Sequence, residues 1–273
     1  MNFDRKKYKS FALMQLKGRW KPAIIGTIIT LIILTAFTIT NKKTSNISYS
    51  ELASYDFEQL LNFYKNAPEL SPPAIILNII QTIVSFIVEM VLVAFFLIFS
   101  RSPDPVSMKN YFEGYNKWAR GILCGLWRGL WTFLWGLIAV PIYLGATLLY
   151  LFSPVTLPMA VEGFLFLIII IAAFIPMFIK SIEYSFIFFF ASEFPEVGIR
   201  KALRLSITIT KGHRWDIFVL ELSFIGWILL SIISFGVGAC WVIPYYYLTL
   251  TNTYHALLQD ALEGGKVLPE DLN

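Results

Sequence analysis

Between Glu221 and Asp260 the chain runs for 38 residues without an Asp, Glu, Lys or Arg, and its one break signal is Gly236-Val237-Gly238. At about 1.5 Å of rise per residue, this stretch covers roughly twice a hydrocarbon core of ~30 Å. It reads as two membrane-crossing helices joined by a tight turn at the glycines. A mean hydropathy of +0.66 points the same way. So do 57% hydrophobic residues, only 15% charged residues and 24 Phe in 273 positions, a composition outside the range of ordinary soluble domains.

Charge-poor runs predict an all-α, polytopic membrane bundle. Its six crossings fall at about 22–40, 74–99, 128–151, 163–190, 215–235 and 238–258, all within one membrane domain spanning 1–273. Lys and Arg then divide sharply between the two sides. Seven precede the first crossing, five lie from Arg101 to Arg128, five from Arg200 to Arg214 and one in the tail, whereas the other side holds only Lys42, Lys43 and Lys65. Because basic loops stay cytoplasmic, both termini are expected inside. The net charge of +4 is thereby explained by topology, and nucleic-acid binding is not expected. Cys124 and Cys240 fall near opposite faces, which argues against a disulfide. The apolar run Pro22 to Thr40 is too long for a signal h-region and lacks a small-residue cleavage pattern.

Residues 41–73 form the main extracytoplasmic segment. Ser48 and Glu51 have capping-box spacing there, ahead of Tyr55, Phe57, Phe63 and Tyr64, and Asn46-Ile47-Ser48 is formally a sequon. Two cytoplasmic segments, about 105–120 and 195–212, read as amphipathic helices lying along the membrane. In the first, Asp104 caps and Pro105 opens a helix. Met108, Tyr111, Phe112, Tyr115, Trp118 and Ala119 share one face, opposite Lys109, Glu113, Lys117 and Arg120. The second runs from Pro195 to Gly212, with Ile199, Ala202, Leu203, Ser206 and Thr210 opposite Arg200, Arg204 and Lys211. The basic residues Lys109, Lys117, Arg120, Arg200, Arg204, Lys211 and Arg214 are candidate contacts for an anionic inner leaflet. A plain buttressing role for both helices is the competing reading.

A basic residue followed by Trp precedes three helix pairs: Arg19-Trp20, Lys117-Trp118 and Arg214-Trp215, with Trp spacings of 98 and 97. The period suggests a threefold repeat, each unit made of a cytoplasmic helix and an outward and an inward crossing. Gly121, Gly125 and Gly129 recur every four residues, a small-residue stripe suited to close helix packing. Gly226, Gly236 and Gly238 are assigned to packing and to the turn. Pro141, Pro176 and Pro244 are candidate helix breaks.

Four ionisable residues lie inside predicted crossings: Glu89, Lys180, Glu183 and Glu221, all in the cytoplasmic half. An unpaired charge in hydrocarbon is costly, so the cheaper arrangement sets Lys180 against one or more of the acids. Such a cluster serves as a headgroup site, a hydrated cavity or a proton relay. Its structural alternative is an ion-pair lock between helices. No His-Glu-x-x-His, Gly-x-Ser-x-Gly, P-loop or dinucleotide pattern occurs, and His213 and His255 at the inner face make a poor metal site. Neither catalytic residues, a metal nor a cofactor is expected.

Several short elements occur in order along the chain. They are Lys17-Gly18-Arg19-Trp20, then Pro176, Lys180, Tyr184 and Pro195, then Lys211-Gly212-His213-Arg214-Trp215. Leu222-Ser223-Phe224-Ile225-Gly226-Trp227, Gly236-Val237-Gly238, Trp241-Val242-Ile243-Pro244-Tyr245 and Tyr254 follow. Through them the chain resembles a bacterial integral membrane family known only as domain of unknown function 975. It departs from that pattern at Met177 and His213. The resemblance implies an all-helical bacterial membrane protein and carries over no activity. The expected function is therefore non-enzymatic: binding of lipid or another amphipathic ligand, or service as an accessory subunit of an envelope complex. A small transporter component using the acid-base cluster, or a scaffold or immunity-type interaction protein, are the alternatives. Anionic lipids and a protein partner or second copy are the expected contacts.

Overall fold

The structure, a computed structural model, describes residues 3–44, 72–102, 106–152 and 159–272. Regular structure among them is entirely helical. The chain begins with α1 (Arg5–Leu16), α2 (Trp20–Thr44), α3 (Pro72–Arg101) and α4 (Met108–Glu113), the last continued by a 3-10 turn at Gly114–Lys117. Next come α5 (Trp118–Gly136), α6 (Ala139–Phe152), α7 (Met159–Glu183) and α8 (Ile187–Glu193). It closes with α9 (Ile199–Thr210), α10 (Arg214–Leu222), α11 (Ile225–Ile233) and α12 (Ala239–Glu263), followed by a 3-10 turn at Pro269–Leu272. Expectations for 45–71, including the Ser48 cap, the sequon and the aromatic face, lie outside the described residues, as do Asp104 and Pro105.

Four helical stretches are long and apolar enough to cross a membrane: Ile75–Arg101, Met108–Leu148, Leu167–Glu193 and Arg214–Ile233. A fifth results if α1 and the first part of α2, which meet at 99°, count as one broken span. The difference from six crossings has a local cause. α12 is long enough, but Thr249, Thr251, Asn252, Thr253 and His255 dilute its hydropathy, and α2 reaches the measure only together with α1. The expected boundaries also shift. Segment 105–120 is not one surface helix: Ser107 caps α4 in a capping box with Asn110, the 3-10 turn intervenes, and α5 starts at Trp118. The run 163–190 breaks after Glu183, and 215–235 breaks after Leu222. Of the prolines, Pro176 and Pro244 lie within continuous helices, whereas Pro141 follows the Leu137-Ile138 break in the first turn of α6.

Two breaks share one geometry. Lys17 (φ −58, ψ 120) and Gly18 (φ 78) end α1, with the Arg19 N–H donating to the Leu16 carbonyl at 2.9 Å. Lys211 (φ −63, ψ 119) and Gly212 (φ 95) end α9, with the His213 N–H donating to Thr210 at 3.0 Å. Both are type II turns, whose third position requires positive φ and therefore glycine. The first and third Trp-bearing elements are thus alike in backbone, and the middle one, with its 3-10 turn, is not.

α3 is the axis of the bundle and packs against α2, α5, α8 and α12. Its hydropathy is nearly uniform but its burial is not. Ile75, Ile76, Ile79 and Ile80 are exposed, while Val88 through Leu97 and Phe99 are largely buried among Phe186–Ala191 of α8 and Leu248–Tyr254 of α12. The same gradient runs through α5 and α7, whose far ends expose Phe133, Phe164 and Ile171, and α11 is exposed along its length except at Ser231. The packed core therefore sits at the Arg101 end, and the other half presents an apolar girdle. A contiguous apolar surface of this extent marks contact with something other than water.

The small-residue stripe meets α3 at only two of its three positions. A Cβ at Gly121 would lie 2.9 Å from Met90 Cβ and 3.0 Å from the Phe86 carbonyl oxygen, one at Gly125 would overlap the Phe86 ring, and one at Gly129 would meet nothing within 4 Å. Gly226 likewise faces open space, Gly236 serves the turn at φ 88, and Gly238 is pressed against Ser231. Gly121→Ala is expected to destabilise the protein by about 1–3 kcal/mol through forced separation of α3 and α5. Gly129→Ala should stay within about 0.5 kcal/mol. Thermal unfolding of the two variants in the same detergent separates the packing role from a mere composition effect.

Candidate functional site

The ionisable residues of the apolar helices do not meet as one cluster. Glu89 on α3 pairs with Arg128 on α5 in a bidentate fork, Nη1 to Oε1 at 2.7 Å and Nη2 to Oε2 at 2.6 Å. The Arg128 guanidinium also lies 4.6 Å from the Phe188 ring centroid. Planar double hydrogen bonding of this kind is the strong form of an ion pair and fixes the spacing of two helices. Arg128 shares with Gly121 and Gly125 the α5 face turned to α3, so the stripe that brings the helices together also delivers the cation to Glu89.

Glu183 is the centre of a second group. Its side chain is 0% exposed and bridges two cations: Lys180 Nζ at 2.8 Å from Oε2 and Arg214 Nη2 at 2.5 Å from Oε1. Lys180 lies 4.7 Å from the Trp135 ring, whose Nε1–H donates to the Tyr184 hydroxyl at 3.2 Å. The main chain here, between α7 and α8, is completed by α9. The Ser206 hydroxyl donates to the Glu183 carbonyl at 2.6 Å and accepts from the Phe186 N–H at 3.1 Å. Buried backbone groups freed by a helix break need such partners. Glu221, on α10, makes no ion pair among the described residues and joins neither group.

A third set closes the C-terminal end of α8. Arg120 donates to the carbonyls of Ala191 (3.0 Å), Phe194 (3.3 Å), Pro195 (2.6 Å) and Val197 (2.7 Å), and Lys117 Nζ donates to Ser192 O at 2.5 Å. Cations here satisfy orphan carbonyls and oppose the negative end of the helix dipole. Arg101 pairs with Glu193 and approaches His255 Nε2 at 3.3 Å. Lys117, Arg120 and Arg214, read from sequence as leaflet contacts, are thus engaged inside the bundle. Lys109 is exposed and reaches Glu113 at 4.0 Å, and Arg200, Arg204 and Lys211 are exposed on α9 and the turn after it, opposite the buried Ala202, Leu203, Ser206 and Thr210. His213 stands 3.5 Å from Asp216, and among the described residues no three His, Cys, Asp or Glu side chains gather where they could hold a metal.

Arg128, Arg101 and Glu193 are the partners that sequence reasoning left out. Arg128 was legible: it lies three residues after Gly125 and hence on the same helix face. Glu193 had no such signal, since the short helix carrying it is defined only by the break after Glu183. The two acid-centred groups hold α3 to α5 and α7 to α10, each charge answered from within. Glu183→Gln is expected to cost on the order of 3 kcal/mol by orphaning Lys180 and Arg214, the lower end for a broken buried pair because Arg214 keeps access to solvent. Glu221→Gln, removing a carboxylate with no cation beside it, should be neutral or stabilising in the same thermal unfolding assay.

Residues 1–261 match the family model described as Protein of unknown function (DUF975). No curated protein and no solved structure matches the chain. With the match covering all but the last residues, the chain belongs to that family.

Proposed function

We propose that this is a non-enzymatic, multi-pass protein of the bacterial cytoplasmic membrane. In this reading it crosses the bilayer six times with both termini inside, and it holds anionic lipid at its cytoplasmic face, alone or as an accessory subunit of an envelope complex. The observation that carries the reading is the split of its surface. An apolar girdle that includes Ile76, Phe133, Phe164 and Ile233 occupies one half, and the exposed cations Lys109, Arg200, Arg204 and Lys211 are set at the other. Basic side chains beside an apolar belt suit the anionic leaflet. The matching type II turns at Gly18 and Gly212 support a repeated unit of surface helix and two crossings, and under that arrangement α2 and α12 are crossings as well. The internally answered pairs of Glu89 and Glu183 favour a helix lock over a proton or solute path.

Topology is the first test. In a background with Cys124 and Cys240 replaced by Ser, Lys211→Cys should be labelled by an impermeant maleimide only after permeabilisation, and Lys43→Cys in intact cells. The opposite pattern removes the reading. In nanodiscs, replacing phosphatidylcholine by phosphatidylglycerol should stabilise the protein, and neutralising Lys109 and Lys211 should reduce that gain by about 1 kcal/mol per charge.

A further inference from the structure

A cleft of about 420 Å³ lies against the outer face of α9, and its charged lining is Arg200, Lys201, Arg204, Lys266 and Asp271. α9 is fixed from behind, where Ala202, Ser206 and Ile209 are buried. Arg200 and Arg204, one helical turn apart, therefore project from a rigid base. The opposite wall is also anchored: Val267 is buried and Leu272 packs on the main core, so the chain between them holds Lys266 and Asp271 at the cleft. The cleft is thus a built concavity rather than a scatter of surface charge.

Its cations differ in what already answers them. Lys201 Nζ stands 3.7 Å from Asp271 Oδ1 and 3.5 Å from the Glu270 carbonyl oxygen, and Lys266 Nζ is 3.6 Å from Asp260. The Arg200 guanidinium rests 5.2 Å from the Trp127 ring. The Arg204 guanidinium has no hydrogen-bond or ion-pair partner among the described residues. Unlike Arg120, Arg128 and Arg214, these two arginines serve no helix end and no buried acid. Four cations against the two carboxylates of Asp271 and Asp260 leave a positive surplus, and two guanidinium forks on one face match the oxygens of a tetrahedral phosphate. Trp127 also joins the cleft to α5, whose exposed Leu123, Leu130 and Trp131 continue an apolar track away from it.

We propose that this cleft binds an anionic phosphate ester, gripped by Arg200 and Arg204, with Asp271 as the internal anion that the ligand displaces from Lys201. The assignment rests on the reading that this end of the bundle faces the cytoplasm and its lipid surface. The chemistry is common to a phospholipid headgroup and to a soluble phosphate ester.

The test uses the full chain in detergent micelles with two probes of one headgroup: dioleoylphosphatidic acid, followed by native mass spectrometry, and glycerol 3-phosphate, followed by calorimetric titration. Dioleoylphosphatidylcholine is the comparison lipid. Saturable binding of either probe, weakened at least about tenfold by Arg204→Gln and strengthened a few-fold by Asp271→Asn, supports the site. Asn at 271 can still accept the Leu268 N–H that Asp271 Oδ2 accepts at 3.1 Å, so the turn persists. Retention of the lipid alone assigns a membrane headgroup; binding of glycerol 3-phosphate alone assigns a soluble ester. Binding of neither probe, or equal small losses for Arg204→Gln and for Lys6→Gln on α1, overturns the cleft. The phosphatidylglycerol dependence of stability reads the broader basic face separately. Because Arg204 is exposed and unpartnered, its variant should unfold at the wild-type temperature, which separates lost binding from lost fold.

Discussion

A helix that stops inside an apolar surrounding leaves amides and carbonyls with no water to meet, and the arrangement of this bundle follows from how those groups are answered. The interruption between α7 and α8 is completed by Ser206 from α9, and the end of α8 by Lys117 and Arg120 from the start of α5. One short helix of seven residues, Ile187–Glu193, is thereby fastened at both ends by other elements. Its aromatic side chains then fill the space between α3 and α12, with Phe189 and Phe190 against Tyr254. Polar completion of the breaks and apolar packing of the core are two parts of one construction.

Against that construction the cations fall into two kinds that the linear sequence does not separate. The positive-inside pattern treats Lys117, Arg120, Arg200, Arg204 and Arg214 as equivalent, because it depends only on which loop carries them. In three dimensions Lys117, Arg120, Arg128 and Arg214 complete backbone or answer the carboxylates of Glu89 and Glu183, whereas Arg200 and Arg204 face outward. A count of basic residues is informative about orientation and silent about occupation.

What was legible before the structure was local and periodic. The long apolar runs, the Gly121-Gly125 contact face and the buried stripe of α9 follow from spacing alone, since each depends on neighbours within one helix. The helix end at Gly212 follows from glycine's freedom at positive φ, whereas the matching turn at Gly18 came only with the structure. The pairing of charges did not follow. Lys180 and Glu183 are neighbours on one helix, but Arg128 reaches Glu89 from another, and separating Glu89 from Lys180 required a helix order that hydropathy cannot supply. Gly129 shows the converse limit: a repeat of small residues outlasts the contact that explains its first members. The chain at 114–117 forms a 3-10 turn where a surface helix was expected, and Gly114 lets it lie close to α3, since a Cβ there would stand 3.1 Å from Val91 Cα.

The uneven burial of α3 divides responsibility for the fold between protein and solvent. At its Arg101 end the helix is held by Phe, Tyr and Leu side chains, while at the other end Ile75, Ile76, Ile79 and Ile80 stay exposed. In a bilayer that second half takes its confinement from the acyl chains. Changes of bilayer thickness would act first on that half, where tilt answers mismatch. The helix thus joins a self-packed base to a half whose cover, in a bilayer, would be acyl chains.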